Sequence, residues 1–210
     1  MTIGRNALIR IALCGLLAAS SACAFKRLSE ADRQRVGAVA IDPNVNVPQN
    51  LFVEDRTSNL LGMLGFIGIL VDAARADPAD RILAFEREKG ISIGEILHDE
   101  FEKQLRERGI FQVATPGDAT LSLEVESYGM SVRPGFASEV VPLLMVKAQL
   151  SDAEQRMLWK QKRGTYRALN PVPARQMSVL ETDEGVLREF WRSAAEAVVG
   201  ELLDSLQSKS

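Results

Sequence analysis

Between Ser92 and Gly109 the apolar positions repeat at helical spacing. Ile93, Leu97, Phe101 and Leu105 follow one another every four residues, with Ile96 beside them. That spacing stacks side chains on one face, so the segment predicts an amphipathic helix with one inward stripe. Its ends carry their own signals. Ser92 with Glu95 three residues later has capping-box spacing, and Gly109 follows Arg106 and Arg108 in a last turn that favours cations. Asp77-Pro78 predicts a shorter helix through Glu88, with aspartate as cap and proline in the first helical position, stopped at Lys89-Gly90. A long helix is expected after a Thr182 cap. Val186, Leu187, Phe190, Trp191, Ala194, Ala195, Val198, Val199, Leu202, Leu203 and Leu206 give it a broad apolar face.

Period-two patterning lies between these helices. Leu121, Leu123 and Val125 alternate with Ser122, Glu124 and Glu126, the mark of a half-solvated strand. A turn at Pro134-Gly135 separates it from a strand over 141–150, in which Leu144, Val146, Ala148 and Leu150 share a face. Pro142 must then sit at the strand's start or on an edge. A polar turn over 151–156 leads to a third strand over 157–167, with Leu158, Trp159 and Tyr166; Asn170-Pro171-Val172-Pro173 breaks the chain after it. Earlier, residues 36–41 form a continuous small-apolar run ended by Asp42-Pro43, consistent with a strand buried on both faces. Residues 25–35 read as a charged stem or short helix, and 44–59 as loop. The order is strand, helical region, three-strand meander, helix. Both apolar stripes are buried most economically in an α/β (α+β) two-layer sandwich, a mostly antiparallel sheet with helices packed on one face. Leu97, Phe101, Leu105, Phe190, Trp191 and Val198 would cover that sheet.

Residues 60–71 stand apart: twelve residues without a charge, with Gly62, Gly65 and Gly68 at intervals of three. As a helix they would reach about 18 Å, short of the roughly 30 Å hydrocarbon core of a bilayer. Three glycines weaken an isolated helix by about 1 kcal/mol each, so the segment needs a partner. It reads as a helix or loop buried on the same domain, or as a small-residue contact for self-association or a membrane. No Gly-Lys-Ser/Thr follows it, which argues against a phosphate loop.

The N-terminus is an address. Arg5 and Arg10 supply a positive start, residues 7–19 form an apolar stretch, and Ser20, Ser21 and Ala22 are small residues before Cys23. Charge, apolar core and small residues in that order make a secretory signal over 1–22. The other cysteine, Cys14, lies within the signal, so Cys23 is the one thiol of the mature chain and a disulfide framework is excluded. The Ser20-Ser21-Ala22-Cys23 run resembles the cleavage box of bacterial lipoproteins. That resemblance implies a lipid on Cys23 and a 23–35 lipidated stem ahead of a single domain over 36–210. Two or more acyl chains would make the anchor effectively permanent. Ala24 after the cysteine, rather than aspartate, implies the outer membrane. Ordinary cleavage at Ala22-Cys23-Ala24, releasing a soluble protein, is the alternative.

Charge narrows the partners. The formal net charge of −3 becomes −5 once the signal, with its two arginines and no acid, is removed. An acidic body argues against a nucleic-acid surface.

No catalytic motif is present: no Gly-x-Ser-x-Gly elbow, no His-Glu-x-x-His and no Walker loop. The single histidine, His98, has Glu95, Asp99 and Glu102 at helical spacing, which reads as a solvated face rather than a metal or acid/base cluster; no metal and no cofactor is implied. Lys160, Lys162, Arg163 and Arg167 read as a solvated strand face, or as a contact for anionic lipid or lipid A phosphates.

A second resemblance covers about 36–206 in element order. The helix ending in Ile110-Phe111-Gln112-Val113, the Ala119 to Val125 strand Ala-Thr-Leu-Ser-Leu-Glu-Val, and a hairpin carrying Asp152-Ala153 and Leu158-Trp159 are similar to ABC-transport auxiliary lipoproteins and their TolB-amino-domain-like relatives. It implies a non-catalytic adaptor or assembly component of an envelope transport or secretion complex, bound to another envelope protein or to its own copies. Two other functions compete with it: a lipid or lipopolysaccharide carrier using a greasy cleft between helix and sheet, and an envelope hydrolase built around His98.

Overall fold

A computed structural model describes residues 25–54, 78–132, 138–165 and 172–208. In chain order they form α1 (Glu30–Arg35), β1 (Ala38–Ile41), β2 (Phe52–Glu54), α2 (Pro78–Lys89), α3 (Ile93–Arg108) and β3 (Gln112–Val113). Then come β4 (Ala119–Val132), β5 (Glu139–Asp152), β6 (Met157–Gly164), β7 (Arg175–Gln176), α4 (Met177–Leu180) and α5 (Glu184–Gln207). Seven strands make one sheet in the order β3-β1-β4-β5-β6, with β2 also on β4 and β7 also on β5. The long β4–β5–β6 meander is antiparallel, while β1 and β2 run parallel to β4 and β3 runs parallel to β1. The fold is the α+β sandwich that the alternation of patterns predicts.

The helix over 93–108 begins at Ser92, whose Oγ accepts the Glu95 backbone N–H at 3.2 Å, and ends at Gly109 in the left-handed region at φ 59°. Leu97, Phe101 and Leu105 are buried, as are Phe190, Trp191 and Val198 of α5. Together with Trp159 and Leu150 of the sheet they fill the space between the layers. Those side chains make a packed core between the layers.

The sheet is longer than its pattern. β4 continues past Val125 to Val132, because a β-bulge between Val125 and Ser127 changes the parity of the strand. Leu121, Leu123 and Val125 face the helices before the bulge; Tyr128 and Met130 do so after it. One extra residue lets a period-two strand bury odd positions and then even ones. Pro142 lies inside β5, but where the outer neighbour has ended. Beyond Gly164 the Thr165 hydroxyl takes over, accepting the Leu144 N–H at 3.1 Å and donating to the Pro142 carbonyl at 3.0 Å. The edge condition for proline is met within the strand.

Other expectations are corrected. The run over 36–41 is a central strand, but Ala38 and Ala40 are only half-buried, so one face is sealed and the other is not. The loop over 44–59 contains β2, which pairs with β4 where Gly129 lets the backbones touch: a Cβ there would lie 2.1 Å from the Phe52 carbonyl oxygen. The Pro-rich break is followed by β7 and α4. The cap of α5 is Asp183, accepting the Val186 N–H at 3.0 Å, whereas the Thr182 hydroxyl donates backward to the Ser178 carbonyl. Residues 25–35, read as a stem or a short helix, hold the short helix α1, with Leu28 buried and Lys26 paired with β6. Gly62, Gly65, Gly68 and Cys23, with the whole apolar run over 60–71, lie outside the described residues.

Candidate functional site

The N-terminal segment closes the open edge of the sheet. The Lys26 N–H donates to the Lys160 carbonyl at 2.9 Å and the Lys160 N–H donates back at the same distance, so Lys26 is a one-residue antiparallel partner of β6. The Lys26 ammonium also donates to the Met157 carbonyl. Ser29 caps α1 through a 3.1 Å bond from the Asp32 N–H, and Arg33 donates to the Leu206 carbonyl at 2.6 Å. Four charges then latch α1 to the β5–β6 turn: Arg35 lies 2.7 Å from Asp32 and 3.7 Å from Asp152, and Arg156 lies 3.0 Å from Asp152. Burial pushes the Asp152 carboxyl up, but the Arg156 N–H and the two guanidinium groups outweigh it and hold it below its usual range.

A second constellation surrounds Glu86. Ala79, Ile82 and Glu86 fall on one face of α2 at helical spacing, so an acid occupies a position that the pattern reserves for an apolar residue. It is only 6% exposed. The Trp191 indole N–H donates to its Oε1 at 2.7 Å, and the Tyr128 hydroxyl bonds the same carboxyl. Burial raises its pKa from 4.5 to about 7, against the opposing pull of those hydrogen bonds and of Arg87. Tyr128 is pushed up in turn by burial and by the Glu86 charge. The group sits under a cleft of about 500 Å³ walled by Val47, Leu83, Ile91 and Ile93 with Arg87 at its side. A carboxyl of this kind both donates and accepts near neutral pH. Among the described residues the cleft wall holds no second carboxylate; its hydroxyls are those of Ser92, whose Oγ accepts the Glu95 N–H, and of Tyr128.

A further hollow of about 510 Å³ runs between α3 and α5. Arg108 of α3 pairs across it with Asp204 of α5 at 2.6 Å, and Lys103 pairs along α3 with Glu100 at 3.2 Å. Gln104 spans the floor, donating to Glu100 at 2.9 Å and to the Glu196 carbonyl at 3.1 Å.

The sequence candidates separate on the structure. His98 lines none of these hollows; its Nδ1 is 3.5 Å from Asp99, and no group of three metal-capable side chains occurs among the described residues. The basic run divides by strand parity. Lys160 and Lys162 point to the face away from the helices, Lys162 pairing with Glu126, while Arg163 turns to the helix side, 3.9 Å from Glu201; Arg167 lies outside the described residues. Trp159 and Trp191 are both fully buried core, as expected, yet Trp191 also carries the bond to Glu86. Sequence reasoning missed Glu86 and the docking of Lys26. The acid in the apolar register of α2 is the one signal that pointed to the first.

No protein-family model and no curated protein matches the chain. Solved structures similar to it include XCC0632 of Xanthomonas campestris, a DUF330 protein, at 14% identity over 88% of this chain and 90% of that one, with a TM-score of 0.43. The PelC dodecamer of Paraburkholderia phytofirmans is 14% identical over 88% of this chain and 96% of its own, with a TM-score of 0.39. A minor lipoprotein of Acinetobacter baumannii is 16% identical over 53% of this chain and 83% of its own, with a TM-score of 0.38. At these values the likenesses carry no argument about activity, partners or location.

Proposed function

We propose that this chain is a bacterial envelope lipoprotein, anchored through a lipid on Cys23, whose domain acts without catalysis as an adaptor or assembly component of an envelope complex. The outer membrane is the location the residue after the cysteine favours. The observation that carries the adaptor reading is the one-sided covering of the sheet. Helices seal the face of Leu121, Leu123, Val146, Leu150 and Trp159, while the opposite face keeps Thr120, Ser122, Glu124, Lys147 and Lys162 toward solvent. Glu124–Lys147 pairs across β4 and β5, and Glu126–Lys162 reaches from β4 over β5 to β6, giving a polar surface on the meander. Such a surface suits contact with another protein, and a tether would raise its effective concentration beside membrane partners.

Photo-crosslinking from Thr120 and Lys147 in intact cells tests the adaptor role: capture of one specific envelope protein, or of a second copy of this chain, is the expected result. Recovery of no specific partner counts against it. Labelling with a fatty-acid probe tests the anchor separately, because label on the wild type and none on Cys23→Ala is required.

A further inference from the structure

We propose that the outer edge of β6, with Phe25, Lys26, Arg27 and Lys160, seats against the anionic headgroup surface of the bilayer that holds the Cys23 lipid; this rests on the anchor reading above. The argument is one of chain length. Phe25 follows Cys23 by two residues, which span at most about 7 Å when extended. From Lys26 onward the backbone is already fixed, by two 2.9 Å bonds to Lys160 and then by the burial of Leu28. No flexible stem lies between the anchor and the folded body, so a lipid on Cys23 brings this edge to the membrane surface and keeps it there.

The chemistry of the edge fits that surface. Phe25 is 64% exposed, an aromatic ring of the kind that settles at the headgroup level. Arg27 and Lys160 form no ion pair with a described residue, and Arg27 follows Cys23 by four residues, at most about 14 Å, so the anchor holds this edge close to anionic headgroups. On the helix side Arg27 shares a hollow with Asp204, which is held by Arg108 at 2.6 Å, and with Glu201, which lies 3.9 Å from Arg163. The other rim of the sheet, β3, is four strand spacings from β6, about 19 Å. A seated body holds one rim at the membrane and the other clear of it.

The test uses the full lipidated protein, with acylation of its N-terminal peptide measured by mass, in phosphatidylethanolamine–phosphatidylglycerol vesicles whose lipids carry bromine near the headgroup. Tryptophan is placed on each rim in turn, as Lys160→Trp and Gln112→Trp, and the emission of the buried Trp159 and Trp191 is subtracted. Seating predicts at least about twofold quenching of the added tryptophan at position 160, little at 112, and loss of the difference in an added Arg27→Glu variant. Equal quenching at the two rims, on protein whose Cys23 is acylated, overturns the seating and leaves the anchor standing. An unacylated Cys23 overturns both.

Discussion

At Glu86, burial and hydrogen bonding pull one carboxyl in opposite directions, and burial wins, giving a pKa of about 7. The folded chain therefore binds a proton more tightly than the unfolded chain. The contribution of the Glu86 proton to stability is fully present below about 4.5 and is lost as pH rises through about 7, where the native state must hold a buried charge. At about 1.4 kcal/mol for each tenfold change in proton affinity, the wild type should lose on the order of 3 kcal/mol across that window relative to Glu86→Gln. The amide keeps an acceptor for the Trp191 N–H and does not titrate. Denaturant unfolding of both proteins from pH 4.5 to 8 checks this; parallel profiles would refute the buried proton. A charge within a helix is ordinarily counted as exterior, and the partner that makes this one interior lies 105 residues away. Gly129 shows the same dependence on a distant segment. Gly129→Ala should cost about 1–3 kcal/mol and release β2, because its Cβ would meet the Phe52 carbonyl at 2.1 Å. Faster amide exchange at Val53 would report it.

Among the elements, β4 depends most on a single irregularity. Deleting Glu126 and Ser127 together would make Tyr128 the neighbour of Val125 and turn Tyr128 and Met130, both buried, to the open face. That variant should lose cooperative unfolding or several kcal/mol. Glu126→Ala keeps the extra residue and loses only the partly exposed pair with Lys162, so it should cost less than about 1 kcal/mol. Near-UV circular dichroism and denaturant unfolding separate the two. Elements whose ends were legible share a cause: Ser92 and Gly109 act within three residues of themselves, and the stripe Leu97, Phe101 and Leu105 repeats without interruption. The short strands β2 and β7 have no such signal. Each is three residues or fewer and exists only because β4 and β5 offer an unpaired edge.

For the molecule as a whole, the N-terminal segment is the point at which chain order and architecture meet. Leu28 is 2% exposed, so Leu28→Ala should lower stability by about 2–4 kcal/mol, measured by thermal unfolding of the mature protein. A loose stem would tolerate the change. By itself the sequence determined what neighbouring residues settle among themselves: the helix over 78–89, the capped helix over 93–108, the antiparallel meander and the apolar faces that make a two-layer sandwich. Spacing and cap chemistry operate over a few residues, and a pattern can express them. The tertiary structure alone decided that Lys26 completes the edge of β6, that Glu86 is sealed beneath Trp191, and that one face of the sheet is left to solvent. In each case the decisive partner is far along the chain, and a local pattern holds no record of which distant surface will cover it.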